Sequence, residues 1–123
     1  MIRKEVLVWG GGTGGVSAAL QAARSGATTM LLTPGPWIGG MVSAAGVCAP
    51  DGHELSCWQT GMWGALLREL YRSEPSGLDQ NWVSCFGYRP QQAEDILSDG
   101  SITSRCCSGV GIVNCETFLS ATG

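Results

Sequence analysis

Charge is scarce in this chain of 123 residues: seven are Lys or Arg, ten are Asp or Glu, and the net charge is −3. No basic stripe exists to follow a phosphate backbone, which excludes a nucleic-acid binder of the electrostatic kind. Long apolar runs are missing too, since none approaches the roughly 20 residues needed to cross a bilayer, so no membrane association is expected. The apolar stretch behind Arg3 and Lys4 is only as long as a strand, and it runs into glycines that a cleaved leader would remove. Histidine occurs once, at His53, where an Asp-Gly turn makes it a solvated loop residue in the simplest reading and a lone general-base candidate in the sharper one.

Glycine, in contrast, is abundant, with 19 residues. Its densest cluster follows Val6, Leu7, Val8 and Trp9 as Gly10, Gly11, Gly12, Thr13, Gly14 and Gly15. Gly10, Gly12 and Gly15 fit the G-x-G-x-x-G spacing: the first permits a tight turn, the second lets backbone approach a pyrophosphate, and the third brings helix against strand. A chain this rich in glycine meets such a spacing by chance, so the flanks decide. Residues 6–8 form a short apolar run of the kind buried on both faces of a parallel sheet. After Gly15, the residues Val16, Ala19, Leu20 and Ala23 recur at i, i+3, i+4 and i+7, the apolar stripe of a helix. Gly26 follows Arg24, as a helix C-terminus prefers, and residues 28–32 supply a second β-prone run. The expected fold class is α/β, a partial Rossmann-like FAD/NAD(P)-binding βαβ unit whose helix N-terminus offers free N–H groups to phosphates.

One residue departs from the dinucleotide pattern. Thr33 stands at the end of the second strand, where a carboxylate usually accepts from the adenosine ribose, and a neutral hydroxyl makes a weaker bond. No cation lies beside it to meet a 2′-phosphate, which disfavours NADP.

Next come Pro34, Gly35, Pro36, Trp37, Ile38, Gly39, Gly40, Met41 and Val42, running into Ser43, Ala44, Ala45, Gly46 and Val47. A glycine fingerprint, a second strand and this aromatic-aliphatic-Gly-Gly-Met segment together resemble the N-terminal part of the FAD-dependent oxidoreductases, within the glutathione-reductase-like flavoproteins. The resemblance implies FAD as cofactor and hydride transfer from a small-molecule substrate to the flavin. It implies that Gly10, Gly11, Gly12, Thr13, Gly14 and Gly15 surround the pyrophosphate and that Thr33 faces the adenosine ribose. It also implies that Gly39, Gly40 and Met41 pass close to the cofactor between ribityl chain and flavin ring. By themselves, paired glycines serve equally as loop punctuation. No catalytic residue is assigned.

The resemblance fades after about Leu97, which divides the chain into residues 1–97, the N-terminal part of an FAD-binding domain, and residues 98–123, an irregular extension rich in Ser, Thr, Gly and Cys. A stretch at residues 110–113 could pair as an edge strand, but its neighbours lend no support. Relatives run several times longer, so the chain reads as a fragment. An inert nucleotide-binding fragment and an NAD-binding module remain the alternatives.

The six cysteines are Cys48, Cys57, Cys85, Cys106, Cys107 and Cys115. None forms a C-x-x-C pair or a metal-ligand spacing, so no metal is expected. A dinucleotide fold at the N-terminus points to a reducing, cytoplasmic setting, in which these are free thiols. Cys48 and Cys57 are the candidates for a redox pair beside the flavin. Farther along, Thr60 is placed to cap a helix with Met62, Trp63, Leu66, Leu67, Leu70 and Tyr71 on its apolar face and Arg68, Glu69 and Arg72 toward water. Trp58 and Trp63 either pack there or flank a cofactor. Residues 82–88 read as an extended segment, and Pro90 opens a short helix with Ala93, Ile96 and Leu97 on its apolar face.

Overall fold

The computed structural model describes residues 3–47, 49–50, 60–74, 87–99, 102 and 111–114. Three strands form one parallel sheet in the order β1-β2-β3, with β1 at Val6–Trp9, β2 at Thr29–Thr33 and β3 at Gly111–Asn114. Val6 is opposite Thr29 and Trp9 opposite Leu32, while Met30 is opposite Gly111 and Leu32 opposite Val113. Helix α1 (Thr13–Arg24) joins the first two strands, so the expected βαβ unit is present at its expected place. The segment allowed as an edge strand does pair, and it includes Asn114 as well. Its partner is β2, far away in sequence, which is why the local pattern gave so little sign of it.

Helix α1 buries Val16, Ala19, Leu20 and Ala23, the four residues of the expected stripe. It ends as expected at Gly26, whose φ of +93° suits glycine. The Ala27 N–H then donates to Ala22 O at 3.2 Å and the Gly26 N–H to Ala23 O at 3.0 Å, closing the last turn in a Schellman arrangement. At the other end of the sheet, β1 and β2 begin together: the Glu5 carboxylate accepts from the Thr28 N–H at 2.7 Å and from its hydroxyl at 3.1 Å.

Helix α2 (Gly61–Ser73) and helix α3 (Pro90–Ser98) complete the core on the α1 side of the sheet. Leu66, Leu67 and Leu70 of α2 are wholly buried with Leu31 of β2, Ile38, and Ala93 and Leu97 of α3. Trp63 and Tyr71 are half-buried against this cluster, so Trp63 takes the packing role. Arg68 and Arg72 are exposed as expected. Thr60 occupies the cap position of α2, but its side chain makes no capping bond; the first turn is closed by Gly64 N–H to Thr60 O at 2.9 Å. For α3 the first turn is secured by Gln92, whose Oε1 accepts from the Arg89 N–H at 3.1 Å. The expectation that the apolar run of β1 is buried on both faces is not met: Leu7 is 62% and Trp9 70% exposed on the face away from α1, because β1 is an edge strand of the described sheet, whereas Met30 and Leu32 opposite them on β2 are buried. His53, Trp58 and all six cysteines lie outside the described residues.

Candidate nucleotide site

The glycine loop is an extension of the sheet that stops just short of closing. Gly10 leaves β1 with φ of +112°, and its N–H donates to Leu32 O at 2.8 Å, so the loop is tied to β2 before α1 begins. Gly12 caps α1 in an extended conformation, and its carbonyl accepts from the Val16 N–H at 2.9 Å. The N–H groups of Thr13, Gly14 and Gly15 precede that first bond and have no intrahelical acceptor, which places unsatisfied donors and the positive end of the helix dipole at one spot.

The reasons for glycine differ along the loop. A Cβ on Gly15 would collide with the Gly10 carbonyl, and one on Gly11 would lie 2.5 Å from Thr33 Oγ1, so these two are required by close packing of the chain on itself. At Gly12 the situation is reversed. Its φ is −69°, any residue's conformation, it is exposed, and no atom of the described residues lies within 4 Å of where a Cβ would sit. Gly14 has the same open surroundings and sits inside the helix, where glycine costs about 1 kcal/mol relative to alanine. Space above Gly12 and Gly14, free amides beneath it and no side chain between them form a cradle of the kind a pyrophosphate fills.

The segment at Gly39 and Gly40 is bound to this loop directly. Gly39 N–H donates to Gly11 O at 2.7 Å, and the Thr13 hydroxyl donates to Gly39 O at 2.7 Å. A Cβ on Gly40 would lie 2.9 Å from Gly12 Cα, and one on Gly39 would lie 2.5 Å from Ser43 Oγ and 2.6 Å from Leu97 Cδ1. Gly40 is therefore explained by backbone packed against backbone and Gly39 by the side chains of Ser43 and Leu97, with both glycines in the left-handed region at φ +58° and +104°. Gly40 opens a short 3-10 turn, Gly40–Val42, which leaves Met41 at 64% exposure beside the loop.

Thr33 stands at the end of β2 beside Gly11 of the loop, and it is buried there. Its hydroxyl donates to Gly35 O at 3.1 Å and accepts from Gly35 N–H at 3.3 Å, holding the turn that follows the strand.

Several supports of the site have no signal in the local pattern. Ser43 is fully buried and its hydroxyl donates to Ile38 O. Tyr88 donates its hydroxyl to Val42 O at 3.1 Å and approaches Val47 O at 3.4 Å, tying down the chain beyond the 3-10 turn. Glu94 of α3 is 8% exposed, buried alongside Ala93, Ile96 and Leu97. Burial and the neighbouring Asp95 charge raise its pKa, while the Ser98 hydroxyl and the Ile38 N–H pull the other way. No cluster of three metal-ligating side chains occurs among the described residues, and no helix there is long and apolar enough to cross a membrane.

Residues 5–105 match the family described as FAD dependent oxidoreductase. The chain belongs to this family. The cofactor that goes with its fold is FAD, and the open cradle over Gly12 and Gly14 is consistent with such a group. No curated protein matches the chain. Among solved structures it is similar to the crystal structure of Thermovibrio ammonificans THI4, at 15% identity and a TM-score of 0.49 over 91% of this chain. It spans 38% of the length of that protein.

Proposed function

We propose that this chain is the FAD-holding portion of an oxidoreductase that removes a hydride from a small-molecule substrate in a reducing, cytoplasmic setting. The observation that supports the reading is Gly12: it caps α1 with an exposed, extended backbone, and no atom of the described residues lies within 4 Å of where a Cβ would sit, so main chain at the helix start is open to a ligand. The amides of Thr13, Gly14 and Gly15 receive the pyrophosphate at the start of α1, with Gly10, Gly11 and Gly12 forming the floor. Gly39, Gly40 and Met41 flank the continuation of the cofactor toward the flavin. The ribose contact assigned to Thr33 by resemblance requires its hydroxyl to leave Gly35, so the adenosine end is held less firmly than a carboxylate would hold it. Bound there, FAD supplies the electron acceptor, and the chain supplies position and fixed dipoles. In this reading residues 1–97 are the N-terminal part of the FAD-binding domain, and residues 98–123 are an extension that contributes β3 to its sheet.

Purification and titration test it. The expected result is a yellow protein whose flavin is released on denaturation. Replacing Gly12 by valine should lower FAD affinity by about tenfold or more while changing stability by only about 1 kcal/mol, the scale of a cap substitution. A colourless folded protein that binds NADH would make the chain an NAD-binding module, and a folded one that binds neither would make it an inert fragment.

A further inference from the structure

Thr13 stands where the resemblance places a cofactor contact, yet its hydroxyl is already committed. A threonine hydroxyl has one proton to donate, and that proton goes to Gly39 O at 2.7 Å. The same two segments are joined a second time by Gly39 N–H to Gly11 O at 2.7 Å, and Gly40 is pressed against Gly12 so closely that a Cβ would stand 3.1 Å from Thr13 N. On its far side the Gly39 peptide is secured by Ser43, whose hydroxyl donates to Ile38 O. Both hydroxyls thus serve backbone carbonyls of one short segment, and Thr13 is the only side chain of the glycine loop available to do so, its neighbours being glycines.

We propose that Thr13 is a positioning residue whose hydroxyl latches the Gly39 carbonyl and fixes the Gly39-Gly40 wall of the site, so that it governs affinity for the flavin half of the cofactor but not for the ADP half. This rests on the FAD reading above. Phosphate recognition at the loop is then left to main-chain amides alone, which Thr13 contributes through its N–H whatever its side chain. The carbonyl of Thr13 is itself engaged, accepting from the Ser17 hydroxyl at 2.8 Å, so the residue is held in register from both sides.

The test compares Thr13→Val, which keeps the branched shape and removes the hydroxyl, with Thr13→Ser, which keeps the hydroxyl. Amide hydrogen exchange over residues 38–41 is measured without nucleotide, and binding of FAD and of ADP is titrated separately. In Thr13→Val, exchange over 38–41 should quicken and FAD affinity should fall, each by about fivefold, the scale of one net hydrogen bond. ADP affinity should stay at the wild-type value, and Thr13→Ser should restore the rest. Equal weakening of FAD and ADP with unchanged exchange would make the hydroxyl a phosphate donor and overturn the proposal. Unchanged exchange and unchanged affinities would overturn it as well. A wild-type protein that binds neither nucleotide defeats the FAD reading instead, and the exchange data still decide whether the latch exists.

Discussion

Gly15 lies against the carbonyl oxygen of Gly10 so closely that no side chain, not even a methyl group, fits between helix α1 and the turn out of β1. Two effects oppose each other if Gly15 becomes alanine. Helix propensity favours alanine by about 1 kcal/mol, whereas forcing a methyl group into packed backbone costs about 3 kcal/mol. The collision wins, and Gly15→Ala should lower stability in denaturant titration by about 2 kcal/mol. Gly14→Ala, with open surroundings, should leave it unchanged or slightly raised.

Tyr88 supplies a second check on the supports of the site. Removing its hydroxyl in Tyr88→Phe takes away the 3.1 Å bond to the Val42 carbonyl and should cost about 1 kcal/mol. The loss should be local, visible as faster amide exchange over residues 42–47 before global unfolding.

Glu94 gives a pH dependence of defined sign. Burial raises its pKa above the usual 4.5, so the folded protein holds the proton more tightly than the unfolded chain does. The resulting stability is fully present below pH 4.5 and is lost as pH rises through the folded value. Melting temperatures of Glu94→Gln and wild type should therefore diverge above that range, with the variant spared the loss. Parallel melting curves at all pH values would show that the carboxyl carries no such penalty.

Glu5 should behave in the opposite way. The Thr28 N–H and hydroxyl hold its pKa below the usual 4.5, so its contribution is present above that value and fades as pH falls through the lowered one. The side chain is exposed, and the effect of Glu5→Gln should be small and further reduced by salt.

These supports also mark the limit of what the residues alone disclose. The β1-α1-β2 unit is legible because its signals are local: an apolar run, glycines at fixed offsets and a stripe of period 3.6 ending at Gly26. Trp63 and Tyr71 likewise reveal their side of α2 through spacing. The glycine pair is only half legible, since Gly39 and Gly40 announce close approach without saying that the approaching body is the chain itself. Glu94 is illegible because its partner, the peptide at Ile38, arrives from another part of the fold, and Ser43 because the turn that brings its hydroxyl back to Ile38 O has no regular period. The strand at residues 111–114 is half legible: its apolar residues allow an edge strand, but the β2 edge it pairs with lies far away in sequence.

The bonds that join Gly10 to Leu32, Gly11 to Gly39 and Gly39 to Thr13 have a kinetic consequence. Fixing the backbone of one residue costs about 1–2 kcal/mol of entropy, and here that cost falls on folding rather than on ligand capture. In the proposed reading an incoming dinucleotide meets a glycine loop whose main chain is already in place, with only the Thr33 side chain left to turn. Stopped-flow traces should accordingly show one exponential whose rate climbs linearly with nucleotide concentration, with no slower isomerisation trailing behind it.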